Sequence, residues 1–267
     1  MSASERPPVV LHADQEHSGI RFAIFIGLFV GFIIGFFLVS RLLQALGPVG
    51  WQDYHIFLSC AGSVPVALLF IWLLEKFLKR VWHSGLSIAL DDLGLYVDDR
   101  RGGAPSRRSD EPAMIWADNM GQLRWYFRLS GYPRGGRERR VPAKWLCLAA
   151  ELQQDESRLS AYTFMPPDKA AAWTQSPKQG FHIINLAELY QGTTRMRVGP
   201  PERPNLPNYL LQTKEARYWL AERRRWEYGI ELTPEDFARL LDYASRGAST
   251  AGPTTNEATM AQEESHV

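Results

Sequence analysis

The sequence predicts an α+β protein: an N-terminal two-helix transmembrane hairpin, then an antiparallel-sheet domain that ends in helices. Three observations carry that reading. Residues 22–43 and 54–74 are two long apolar runs free of acidic residues. Residues 86–97 and 123–129 alternate apolar and polar side chains with period two, as half-buried strands do. Residues 213–228 and 233–247 have helical spacing and recognisable ends. Strands first and helices last is the α+β order.

The first apolar run, Phe22 to Val39 extended to Leu43, supplies the roughly 20 residues that a helix needs to cross a hydrocarbon core. Arg21 and Arg41 lie near its ends, where cationic stems reach headgroups. A cleaved signal peptide is set aside, because the core is too long and a second apolar run follows at once. That second run has Trp51 and Tyr54 at one end and Trp72 and Trp82 at the other, the aromatic belt of a membrane helix. The link Gly47 to Asp53 is too short for a domain, so residues 20–81 read as one hairpin. Pro65 predicts a kink.

Gly27, Gly31 and Gly35 repeat at four-residue spacing in the first span, and Ser59, Ser63 and Ala67 do so in the second. Small residues permit close helix approach in lipid. Either the two faces meet within the hairpin, or the glycine face receives another chain. Lys76, Lys79 and Arg80 close the second span, and Arg100, Arg101, Arg107 and Arg108 follow. The positive-inside rule then places both termini in the cytoplasm of an inner-membrane protein.

Residues 1–19 are polar and aperiodic, and read as a flexible tail. Residues 82–247 are enough for one domain. Leu86, Ile88 and Leu90 alternate before a turn at Asp91 to Gly94, and Leu95 and Val97 continue after it. Residues 99–112, rich in Gly, Arg and Pro, form a loop. Met114 to Ala117 and Leu123 to Leu129 are strands, the second with Leu123, Trp125, Phe127 and Leu129 on one face. Trp145 to Leu152 fits a strand or a helix, and it pairs as a hairpin with Leu159 to Phe164 if a strand. Asp168 to Trp173 is a short helix, Phe181 to Leu186 a further strand, and the proline-rich 199–207 a loop. Thr213 caps a helix with Ala216, Trp219, Leu220 and Arg223 on its stripe and Gly229 as its stop. Thr233-Pro-Glu-Asp is a strong helix start, with Phe237, Leu240, Leu241 and Ala244 as the buried face and Gly247 as the end. Residues 248–267 are a polar, disordered tail.

A hairpin of two membrane helices, the strand pair Leu86 to Val97 and the Trp-led Ile115-Trp116-Ala117-Asp118 resemble the bacterial membrane-anchored pleckstrin-homology-like proteins. The resemblance covers roughly residues 20–175. It implies a small barrel closed by one helix, no catalytic activity, and binding to lipid or protein at the membrane.

A net charge of +1 excludes a strongly basic nucleic-acid binder. Cys60 and Cys147 fall in different regions, so no disulfide is expected. The six histidines show no metal-ligand spacing, and no glycine-rich loop precedes a helix, so no metal, cofactor or catalytic residue is expected. His182, beside apolar neighbours, reads as a core or edge residue. The candidate membrane contacts are Trp72, Lys76, Lys79, Arg80 and Trp82, the loop cations Arg134, Arg137, Arg139, Arg140 and Lys144, and Arg223, Arg224 and Arg225. Each cation near an anionic leaflet contributes about 1 kcal/mol. The expected function is non-enzymatic binding of a protein partner or anionic headgroups at the inner leaflet. One alternative is a small subunit docking into a larger membrane complex, or into a homo-oligomer, through its glycine-rich helix. The other is a membrane-surface enzyme whose site is assembled from scattered residues.

Overall fold

The computed structural model describes residues 8–14, 18–46, 54–100, 112–116, 120–176, 179–190 and 203–250. The chain divides into two units: residues 14–85, and residues 1–13 together with 86–267.

The first unit is a pair of helices, α1 (Ser18–Leu46) and α2 (His55–Val81). Both are long and apolar enough to cross a membrane. At 1.5 Å per residue each spans roughly 40 Å, so both continue past the apolar runs that define them in the sequence. Their outward side chains, Phe22, Phe29, Phe37, Phe57, Leu68 and Trp72 among them, are exposed within this unit, which is the surface a lipid phase would cover. The link 47–53 lies outside the described residues.

The glycine face of α1 meets α2. A Cβ built on Gly35 would stand 3.0 Å from the Ser63 carbonyl oxygen and 3.2 Å from the Ser63 Cα. On Gly31 it would stand 2.9 Å from the Phe70 ring, and on Gly27 it would stand 2.5 Å from Leu74 Cδ2. Ser59, Ser63 and Ala67 are buried on α2. Small meets small at Gly35 and Ser63, whereas Gly31 and Gly27 make room for Phe70 and Leu74. His55 Nε2 lies 3.2 Å from the Ser40 carbonyl oxygen near the linked ends of the two helices. The helix runs on through Pro65.

In the second unit β1 (Val9–His12), β2 (Leu86–Leu90), β3 (Gly94–Asp99) and β4 (Met114–Ile115) form an antiparallel sheet in that order. The tail expected at residues 1–19 is therefore corrected at its centre. Val9 to His12 pair with Leu90 to Ser87, and Leu11 and Ala13 are buried with Ile88 and Leu90. Four residues with one buried position are too few to show strand periodicity in the sequence. The Asp91 carboxylate accepts the Leu93 and Gly94 amides at 2.9 and 2.8 Å and turns β2 into β3.

The other sheet holds β5 (Gly121–Arg128), β6 (Leu146–Gln154) and β7 (Ser157–Met165) as a meander. β8 (His182–Ile183) is parallel to β5 at one edge, and β9 (Ile230–Glu231) is parallel to β7 at the other. β6 is the strand that fits a helix equally well in the sequence. It is covered on both faces, so both of its side-chain rows are apolar and the alternation vanishes. Leu146, Leu148, Ala150 and Leu152 face the first sheet's core, together with α3 (Pro167–Thr174) and α6 (Pro234–Thr250). Cys147 and Ala149 face a second core with Trp125, Phe127 and Trp219.

The implied barrel does not form: the sheets are open, and β4 pairs with β3 while β5 pairs with β6 and β8. Alternation fixes which face of a strand is inward but not which strand lies beside it. A side chain bridges the sheets instead. Gln154 donates to the Ile115 carbonyl oxygen at 2.9 Å and accepts the Ile115 amide at 2.7 Å, as a neighbouring strand's backbone would.

α4 (Asn208–Leu211) precedes α5 (Ala216–Tyr228). α5 starts three residues past the expected Thr213 cap, because the Thr213 hydroxyl donates to the Leu210 carbonyl oxygen and ends α4. Thr233 does cap α6, accepting the Asp236 amide at 3.1 Å. α6 runs past Gly247 to Thr250; residues 251–267, expected as a tail, and the loop residues 101–111 lie outside the described residues.

Gly35 is the tight point of the hairpin, because backbone cannot yield as the tip of Leu74 can. Gly35→Leu should drive the helices apart, whereas Gly27→Ala should be tolerated. With Cys60 replaced by Ser, cysteines at positions 39 and 62 should cross-link on oxidation, since a Cβ on Gly62 would lie 2.8 Å from Val39 Cγ1. Gly35→Leu should abolish that cross-link. An undiminished cross-link would show that the helices do not meet here.

Candidate functional site

α5 lies over the outer face of the β5–β6–β7 sheet. Its three consecutive arginines are spaced 100° apart around the helix, so they cannot all face water. Arg225 points inward and is buried, with Trp219, Ala221 and Glu222. The expected stripe is corrected accordingly: Leu220 and Arg223 lie outside the inward face, and Glu222 and Arg225 lie on it.

Arg225 belongs to a lattice of four buried charges. Its Nη2 donates to Glu138 Oε1 at 2.7 Å and to Glu222 Oε1 at 2.8 Å, and its Nε donates to Glu222 Oε2 at 2.8 Å. Arg203 donates to Glu138 Oε1 at 3.0 Å and to Glu222 Oε1. Trp125 Nε1 donates to Glu222 Oε2 at 2.9 Å, and the Tyr132 hydroxyl donates to Glu138 Oε2 at 3.0 Å. The four charged side chains are 1–2 % exposed. The Arg203 guanidinium also stacks 4.3 Å from the Trp226 ring, and that of Arg225 lies 4.8 Å from Tyr162.

Two cations offset two anions, and all four carboxylate oxygens accept hydrogen bonds. Burial alone would raise the Glu222 carboxyl, but Arg225 and Arg203 outweigh it and hold the group below the usual carboxylate range. Burial would likewise lower Arg225, and Glu222 reverses it. Burial pushes the Cys147 thiol and the Tyr132 hydroxyl up. A neutral buried thiol is a packing group, not a nucleophile.

The basic clusters expected at the membrane are mostly engaged inside the unit. Arg134 clamps the carbonyl oxygens of Glu138 and Val141 at 3.0 and 2.7 Å. Arg137 donates to the Tyr162 hydroxyl at 2.9 Å and lies 3.8 Å from Glu231. Arg139 donates to the Arg134 carbonyl oxygen at 2.9 Å but stays exposed, as do Arg140 and Lys144. Arg223 pairs with Glu227. Arg224 holds the buried Glu151 with two 2.7 Å bonds. Arg225 as a headgroup contact is a correction: a cation buried between two carboxylates cannot reach lipid. On α2, the Lys76 ammonium lies 4.0 Å from the Trp72 ring and Lys79 pairs with Glu75 at 2.7 Å; Arg80 and Trp82 are exposed.

A second feature is a groove of about 350 Å³ at one end of the sheet. Gly121, Gln122 and Leu123 of β5, Glu151 and Gln153 of β6, Arg158 of β7 and Arg217, Leu220 and Arg224 of α5 line it. Among the described residues no group of three His, Cys, Asp or Glu side chains is placed to hold a metal. Cys60 and Cys147 are both free thiols. His182 sits on the edge strand β8, stacked 4.2 Å from Tyr218 and 3.2 Å from the Glu215 carboxylate.

Sequence reasoning gave no site role to Glu138 or Glu222, and missed Arg203, Arg158 and Arg217. One signal was available: a single acid inside the run Arg134–Arg140, and another three residues before Arg225, are the spacings of partners. Comparison with protein-family models, curated proteins and solved structures finds no match to this chain.

Removing one member of the lattice leaves a buried charge uncompensated, which costs about 3–5 kcal/mol. Arg203→Ala and Glu138→Ala should each destabilise the protein by that order, and the double variant by less than their sum, as urea unfolding would read. Additive losses would show that the pair is uncoupled. Glu222 has its folded-state value depressed, so its contribution is complete above the unfolded carboxylate range and is lost as pH falls through that lower value. Stability should therefore drop more steeply on acidification in the parent than in Glu222→Gln.

Proposed function

We propose that this protein is a non-enzymatic, two-span protein of the inner membrane, with both termini cytoplasmic, whose α+β unit binds a protein partner at the membrane surface. The observation that carries the reading is where the hairpin is inserted. β1 and β2 are paired neighbours, and the Ala13 amide donates to the Leu86 carbonyl oxygen at 3.0 Å. The chain leaves a sheet for the two helices and returns to the adjacent strand. One sheet cannot straddle a bilayer, so an even number of crossings must separate β1 from β2. Two helices of spanning length supply that number.

Such an insertion gives the α+β unit two short covalent links to the membrane, residues 14–17 and 82–85. Lys76, Lys79 and Arg80 at the end of α2 support the cytoplasmic side. The charge lattice supports a binding role over catalysis, because its carboxylates are buried and every oxygen already accepts a hydrogen bond from within the unit. The internal pairing of Arg134, Arg137, Arg224 and Arg225 moves weight from headgroups to a protein. The glycine face of α1 is occupied by α2, so a partner within the membrane would meet the phenylalanine-rich outer faces instead.

With Cys60 and Cys147 replaced by Ser, single cysteines at Ser2 and Ser249 should both resist an impermeant maleimide in right-side-out vesicles and react in inverted ones, with Asp53→Cys the reverse. Termini labelled from opposite sides would end the two-span reading. Mild-detergent purification should then recover a second protein in stoichiometric amount. A monodisperse monomer, with headgroup-dependent flotation of the α+β unit, would return the function to lipid.

A further inference from the structure

We infer that the groove between α5 and the end of the β5–β6–β7 sheet is a binding site for a phosphate group, carried by a small molecule or by a lipid headgroup. Three guanidiniums line it, from Arg158, Arg217 and Arg224, against the single carboxylate of Glu151. Two positive charges are left over, which matches a phosphate dianion. A volume of about 350 Å³ lies in the range of small-ligand sites.

The donors are available. A guanidinium carries five N–H groups. Arg224 uses two of its groups on Glu151, through Nε and Nη2, and the remaining edge lines the groove. Arg217 gives one bond to the Tyr218 hydroxyl at 3.3 Å and lies over that ring. Arg158 is exposed at the start of β7. Planar forks of this kind hold phosphate through paired, charge-assisted bonds.

The site is also partly built in advance. Glu151 is buried, is fixed by the Ser160 hydroxyl at 3.1 Å, and grips Arg224 from beneath. Arg224 is thereby ordered before any ligand arrives, which removes part of the entropic cost of binding. Gln153 adds a neutral polar group at the rim. Leu123 and Leu220 supply an apolar wall, and Leu220, 42 % exposed, is an apolar side chain that α5 leaves uncovered. A phosphate ester with a carbon skeleton fits such a wall better than a bare ion does.

The test uses the full-length protein in nonionic detergent, titrated calorimetrically with pyrophosphate. Saturable binding is expected. Arg158→Gln with Arg217→Gln should weaken it by about tenfold or more, since two charge-assisted contacts are lost. Arg139→Gln with Lys144→Gln, exposed cations outside the groove, should leave it unchanged. Arg224 stays in place because Glu151 depends on it. Absence of saturable binding, or equal weakening by both pairs of substitutions, would overturn the site, the second outcome pointing to diffuse charge. Repeating the titration in nanodiscs identifies the source of the phosphate. If lipid headgroups fill the groove, pyrophosphate binds discs of phosphatidylcholine alone but not discs containing phosphatidic acid, whose phosphomonoester is the dianion the site matches, even in high salt that screens surface charge. If the natural ligand is soluble, both discs bind alike.

Discussion

Glu138 and Arg225 are 87 residues apart in the chain, and Arg203 lies between them. Their meeting beneath α5 ties three otherwise separate segments together: the turn at 136–140, the proline-rich run at 203–207 and the helix itself. In a low-dielectric interior such a lattice is favourable only when complete, because any missing member leaves a charge whose desolvation is not offset. Its net contribution to stability can be small while its effect on specificity is large. A chain in which the 203–207 segment docks elsewhere must bury two carboxylates against one guanidinium. The apolar residues around it, Trp125, Phe127 and Trp219, tolerate many packings; the lattice tolerates one.

The other constraint is topological. β1 completes the first sheet from the far side of the hairpin in sequence, so the α+β unit is not a domain appended after the hairpin. It begins before the hairpin and resumes after it. Leu11 and Ala13 share a core with Leu86 and Ile88, which makes the fold of that sheet and the return of the chain from the hairpin one problem. An anchored unit with a single flexible linker samples a wide volume above the bilayer. Two short links restrict that sampling more than one does.

Much of this was legible. Apolar runs free of acidic residues reported two helices long and apolar enough to cross a membrane, period-two alternation reported β2, β3 and β5, and Thr233-Pro-Glu-Asp reported α6. The misses have separate physical causes. β1 is too short to show periodicity. β6 is buried on both faces and so loses the alternation that marks a strand. The barrel expectation failed because pairing order depends on links such as Gln154 to Ile115, which have no local signature. The charge clusters were read as surface because composition counts charges without knowing which are opposed. Arg134, Arg137, Arg224 and Arg225 are four of the cations that seemed free, and each has an internal partner.

The lattice and the groove are connected through the rotation of α5 about its own axis. Arg217, Leu220 and Arg224 stand at i, i+3 and i+7 and share a face of the helix. Glu222 and Arg225 stand roughly a third of a turn away on the inward side. Four hydrogen bonds from Arg203, Arg225 and Trp125 saturate Glu222, and they leave the helix no freedom to roll. Apolar contacts alone would resist rolling weakly, since Trp219 and Ala221 slide over an aromatic surface without losing directed bonds. Buried charge thus sets the azimuth of the helix, and the azimuth turns Arg217 and Arg224 toward the groove that Arg158 of β7 also lines. In this unit the arginines spent on folding are what aim the two arginines that α5 brings to the groove.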